Sequence, residues 1–208
     1  MPAVDYYFDP ACPWTWLTSR WLADAAAQRD VEVTWRPLSL LTLAGGEPHP
    51  DYAERITASF RILRVIAAAQ ADGDNALAGA LYAAVGERTF QAGQTLTDAL
   101  AREALAATGA GVPAVAYDDS GWDAAVEGST KEAIDLAGPD VGSPVMAWGD
   151  PRVGIFGPIV SPGPRGESAA RLLDLVLEAG ALDGFFELKR GRSEGPAIPA
   201  PPWATAAG

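Results

Sequence analysis

An α/β fold, with an all-helical domain inserted between two sheet-forming halves, is predicted by three observations. The first forty residues read as strand, helix, strand. From about residue 50 to 137 the chain is alanine-rich and helical in texture, and after it come two short strand-like runs and one amphipathic helix. The divisions implied are 1–45, 46–138 and 139–192, with a proline- and alanine-rich tail over 193–208.

Each element has its own local reason. "AVDYYF" at 3–8 is aromatic and β-branched, as strands are. "PWTWLTSRWLADAAAQ" follows with Leu17, Trp21 and Ala25 at helical spacing, and Arg29-Asp30 ends that helix. "VEVTWRPL" alternates Val31, Val33 and Trp35 against Glu32, Thr34 and Arg36, the pattern of a half-buried strand. In the insertion, Thr95-Leu-Thr-Asp98 resembles a capping box and Gly109 suits a left-handed stop. "GSPVMAW" and "RVGIFG" flank Gly149-Asp150-Pro151, a hairpin turn. "ESAARLLDLVLEA" puts Leu172, Leu173, Val176 and Leu177 on one helical face, which Gly180 terminates.

Composition narrows the function classes. The 208 residues are 49% hydrophobic and 20% charged, enough to bury a core. A net charge of −12 without a lysine- and arginine-rich run argues against nucleic acid and anionic membrane as partners. The apolar stretches are too short to span a bilayer, and no basic segment precedes an apolar core at the N-terminus, which points to a cytoplasmic setting. One cysteine rules out an internal disulfide and a multi-cysteine zinc site, and one histidine removes most other transition-metal options, so no metal is expected.

The order βαβ, helical insert, ββα is that of the thioredoxin fold carrying an inserted domain. Cys12 stands directly before Pro13 at the first helical turn, where a missing N–H costs nothing. "VGSP" at 141–144 precedes the third strand, where thioredoxin-like proteins carry a cis-proline facing the active-site cysteine.

"FDPACPWTWLTSRWL", "LSLL", "DVGSPV", "IFGP", "PRGE" and "FFELKR" together resemble the DsbA-like oxidoreductases of actinobacteria, and most closely the mycothiol-dependent nitroreductase group, from Asp5 to Arg190. The resemblance implies a helical lid and a Cys-Pro-Trp-Cys motif reduced by mycothiol. It also implies an electrophilic or disulfide-containing small molecule held between that motif and the cis-proline loop. Carried over residue by residue, Cys12, Pro13 and Trp14 match, Tyr52 stands for the pocket tyrosine of the helical domain, and Ser143-Pro144 form the loop. Thr15 replaces the resolving cysteine, and Ala44 stands where an asparagine is expected. A dithiol cycle within one chain is therefore impossible.

A cysteine at a helix start meets unpaired N–H groups and the positive end of the helix dipole. Such sites bring a thiol from about 8.5 into roughly 3.5–7.5. Thr15 is placed to donate to the thiolate, and the backbone of Ser143 to receive a bound thiol as an added strand. The expected cycle is monothiol: Cys12 reacts, and an external thiol, mycothiol or glutathione, clears the product. The plain reading of Trp16 and Trp21 is packing; of His49, solvated loop; of Asp118, Asp119 and Asp123, helix caps; of Arg61, Arg64, Lys189, Arg190 and Arg192, charged surface. Three functions stay open: a thiol-dependent reductase or transferase, an enzyme like the kappa-class glutathione transferases and their isomerase relatives that activates a cofactor's sulfur, and a redox-inactive binding module.

Overall fold

In the computed structural model, which describes residues 3–198, four strands form one sheet. β1 (Ala3–Phe8) lies at its centre, parallel to β2 (Glu32–Pro37) and antiparallel to β3 (Val145–Trp148), which pairs in turn with β4 (Val153–Phe156). The order β2-β1-β3-β4 is that of the thioredoxin fold. A parallel pair needs a long crossover, and α1 (Pro13–Arg29) supplies it. Alternation along β1 sends Tyr6 and Phe8 into the main core and Tyr7 to the opposite face, against Val145, Ala147 and Ala133.

Between β2 and β3 the regular elements are helical: α2 (Leu40–Leu43), α3 (Ala53–Ala71), α4 (Asn75–Gly86), α5 (Asp98–Thr108) and α6 (Asp123–Ala137), with short 3₁₀ and π turns between them. α4 carries an apolar wall to the sheet, where Tyr82 stacks on Phe8 at 4.0 Å. Trp16 of α1 meets Tyr82 edge-on at 5.6 Å and stacks on Phe90 at 6.0 Å, with the guanidinium of Arg20 4.3 Å from its ring centre. Gly86 makes room for that tryptophan: a Cβ there would come within 2.1 Å of the indole. These contacts fix the first turns of α1 against the helical insertion.

α7 (Glu167–Gly180) lies along α1. Trp21 Nε1 donates to the Ala169 carbonyl at 3.1 Å, and Arg29 pairs with Asp174 and Glu167. Asp30 closes α1 in the left-handed region at φ 51°, and Gly109 closes α5 at φ 63°.

Three local expectations are corrected. The cap of α5 is Thr97, whose hydroxyl accepts from Leu100 N–H, rather than Thr95. Asp118 pairs with Arg102 instead of capping, whereas Asp119 does cap a 3₁₀ turn. Gly180 is the last residue of α7 and owes its place to close packing, because a Cβ would meet the Trp148 ring at 2.4 Å. Of the tail from 193 onward the described residues reach 198: Ala197 N–H donates to Ser161 Oγ and Ile198 packs on the core. Residues 199–208 lie outside the described part.

Candidate active site

Cys12 is the N-cap of α1, in an extended conformation, and Pro13 begins the helix. The turn before it is closed by the Cys12 N–H donating to the Asp9 carbonyl at 3.0 Å. Across the sheet, β1 pairs with β3, and that pairing brings the residues just before β3 to the end of β1 from which Cys12 emerges. The Cys12 thiol consequently reaches the Ser143 carbonyl, 3.8 Å from Sγ, and the Ser143–Pro144 peptide is cis. Residues 131 positions apart thus meet at one sulfur.

Thr15 lies one helical turn on, fully buried, with its Oγ1 2.8 Å from Ser143 Oγ. Its own carbonyl accepts from the Tyr6 hydroxyl at 2.7 Å, which anchors this turn of α1 to β1. Ser143 Oγ also accepts from the Asp9 N–H at 3.1 Å. Among the predicted residues, Cys12, Pro13, Thr15, Ser143 and Pro144 converge. Trp14 is partly exposed and lies under the guanidinium of Arg192, 5.0 Å from its ring centre, so the segment after α7 returns to the motif. Tyr52 is 58% exposed at the start of α3, tilted against His49 at 5.9 Å; no hydrogen bond joins it to Cys12 among the described residues. His49 accepts from Asp51 N–H in its exposed loop. Arg61 and Arg64 are neither free surface nor ligand sites, since they pair with Asp98 and Asp123.

Asp9, unremarked in the sequence, is buried directly beneath the motif. Its Oδ1 accepts from Ala11 N–H at 2.7 Å and Ser59 Oγ at 2.5 Å, and its Oδ2 from Leu40 N–H at 2.7 Å. One carboxylate therefore ties the loop before Cys12, the start of α2 and the middle of α3 together. Burial pushes its pKa up, against those three hydrogen bonds and the charge of Arg55. The only sequence signal was its place in "DPACPW", and a charged residue is by default read as exposed.

The electrostatics of Cys12 run opposite to the sequence expectation. Burial pushes its thiol pKa up, and the charge of Asp9 adds to that. The Thr15 hydroxyl and the N–H groups of Thr15 and Trp14 pull it down, as the helix start requires, but the desolvation they oppose is larger. Cys12 nevertheless keeps part of its surface in solvent. The arrangement is a thiol that donates to a backbone carbonyl, with the Trp14 and Thr15 N–H groups placed to favour the anion once the proton leaves.

The chain is similar to several known proteins. A family model described as Rv2466c-like, mycothiol-dependent nitroreductase Rv2466c, matches residues 11–190. The uncharacterized protein Rv2286c of Mycobacterium tuberculosis is 29% identical over 198 residues, covering 93% of this chain and 84% of the relative. Among solved structures, the cytosolic disulfide reductase DsbM of Pseudomonas aeruginosa with GSH superposes with a TM-score of 0.56 at 17% identity, covering 85% of this chain and 99% of that one. A 2-hydroxychromene-2-carboxylate isomerase superposes with a TM-score of 0.55 at 15% identity, over 85% of this chain and 94% of the other. The structural likenesses establish the fold. No helix among the described residues is long and apolar enough to cross a membrane.

Proposed function

From the premise that the chain belongs to the Rv2466c-like mycothiol-dependent nitroreductase family, we propose that it is a monothiol oxidoreductase in which Cys12 is the reacting sulfur. One observation carries the reading: the lone sulfur stands at the head of α1 against the carbonyl of Ser143, whose hydroxyl bonds that of Thr15. Cys12 loses its proton to water, and the thiolate attacks one sulfur of a disulfide substrate. A Cys12–substrate disulfide forms as the second sulfur leaves as a thiolate and takes up a proton. An external thiolate then attacks the substrate sulfur of that mixed disulfide and releases Cys12. The external thiol leaves joined to the substrate half, so one disulfide is consumed and one is formed. Mycothiol suits the family, and glutathione suits the neighbour solved with it. A reducing cytoplasm supplies either.

Mass spectrometry after incubation with glutathione disulfide or mycothiol disulfide tests this. A single adduct on Cys12, removed by excess thiol and absent from Cys12→Ser, is the expected result. No adduct on the wild-type protein refutes it.

A second reading is favoured by the hydroxyl pair of Thr15 and Ser143 beside a thiol that burial holds protonated. In it, Cys12 donates a hydrogen bond to the sulfur of a bound thiol cofactor and stays uncombined. Turnover retained in Cys12→Ser distinguishes it from the first.

A further inference from the structure

Arg55 was unremarkable in the sequence, yet it is the cation of the helical insertion that faces the motif. It stands near the start of α3, and its Nη2 donates to the Ala11 carbonyl, one residue before Cys12. The Phe90 ring lies 5.1 Å from the guanidinium carbon. Its Nε is buried without a hydrogen-bond partner. Unlike Arg29, Arg64 and Arg102, it has no ion-paired carboxylate among the described residues. Asp9 is close enough to be felt, but both its oxygens are taken by Ala11, Ser59 and Leu40. The charges of Cys12 and Tyr52 also act on Arg55. A part-buried guanidinium, anchored on the Ala11 carbonyl and short of acceptors, is pre-organised for a carboxylate.

We propose that Arg55 binds a carboxylate of the substrate that reacts at Cys12, making carboxylate-bearing disulfides or electrophiles the preferred class. This rests on the reading of Cys12 as the reacting sulfur. The carboxylate is the substrate's, because mycothiol has none free, its cysteine carboxyl being tied in an amide.

Alkylation of Cys12 by iodoacetate, an anion, is compared with that by iodoacetamide, its neutral near-isostere. In Arg55→Gln the iodoacetate rate falls about tenfold relative to the iodoacetamide rate, and Arg55→Lys, which keeps the charge, restores most of the ratio. Thermal denaturation checks that both variants are folded. In the wild type the ratio falls as salt is raised. Release of a Cys12 mixed disulfide by glutathione and by 2-mercaptoethanol is unchanged in Arg55→Gln. Slower release by glutathione alone would move the carboxylate to the external thiol and overturn its assignment to the substrate. An alkylation ratio equal in Arg55→Gln and wild type overturns the proposal and leaves Arg55 as a balance for Asp9. A wild-type Cys12 inert to iodoacetamide overturns the reactive-sulfur reading itself.

Discussion

Replacing Asp9 by asparagine perturbs stability and reactivity in opposite directions. The carboxylate receives Ala11 N–H and Leu40 N–H on different oxygens, each at 2.7 Å. Turned one way, the amide of the substituted side chain sets its NH₂ against Leu40 N–H and leaves that donor unsatisfied; turned the other, Ala11 N–H keeps Ser59 Oγ at 3.0 Å, but the Ser59 hydroxyl loses the oxygen it donated to. One buried donor without an acceptor costs about 1–3 kcal/mol. In a domain of this size that lowers Tm by roughly 2–4 °C per kcal/mol. The pH dependence follows from the raised pKa of Asp9. A carboxyl whose folded pKa is raised contributes stability that is fully present below its unfolded pKa and is lost as pH rises through the folded one. Asparagine carries no such contribution, so the deficit of Asp9→Asn is larger in mild acid than at pH 7. At the same time a negative charge that holds the Cys12 thiol up is removed. The lower pKa leaves more thiolate near neutrality. Thermal melts at several pH values and the iodoacetamide rate at pH 7 read both effects. A variant as stable as the wild type at every pH, with Cys12 no faster, would refute the account of Asp9 as both clasp and field.

Thr15→Val removes the hydroxyl that bonds Ser143 Oγ and helps hold the Cys12 thiol pKa down, and the resulting rise slows iodoacetamide alkylation at pH 7 about fivefold, the equivalent of roughly 1 kcal/mol; an unchanged pH–rate profile counts against a role for Thr15. Thr15→Cys, one helical turn from Cys12, forms an intramolecular disulfide under mild oxidation, seen as the loss of both free thiols by mass spectrometry, and two free thiols after oxidation contradict the helix-start geometry. Gly86→Ala drives a methyl group into the Trp16 ring and lowers stability by about 1–3 kcal/mol of overpacking, less the roughly 1 kcal/mol that alanine gains in a helix; a stabilised variant would show that the indole moves aside freely.

Much of the fold was readable because its signals are local. The Pro13 start of α1, the alternation of β2, the Gly149-Asp150-Pro151 turn and the glycine stop of α5 each depend on a few neighbouring residues. Thr97 was missed as the cap of α5 because two threonines, 95 and 97, offer the same chemistry, and only the helix axis chooses between them. Arg61 and Arg64 read as surface because their partners, Asp98 and Asp123, are on other helices.

By itself the sequence determined that a single sulfur sits at a helix start, without a second thiol to resolve it, in the element order of a thioredoxin fold. Both follow from residue identity and short-range geometry. Only the tertiary structure decided what surrounds that sulfur. Ser143 comes from the loop before β3, Ser59 and Arg55 from the inserted helices, and Asp9 from beneath. The thiol's pKa turns on how much water those neighbours exclude and which charges they bring. Desolvation is a property of the packed three-dimensional surroundings, and the helix-start signal, though present, is the smaller of the two effects.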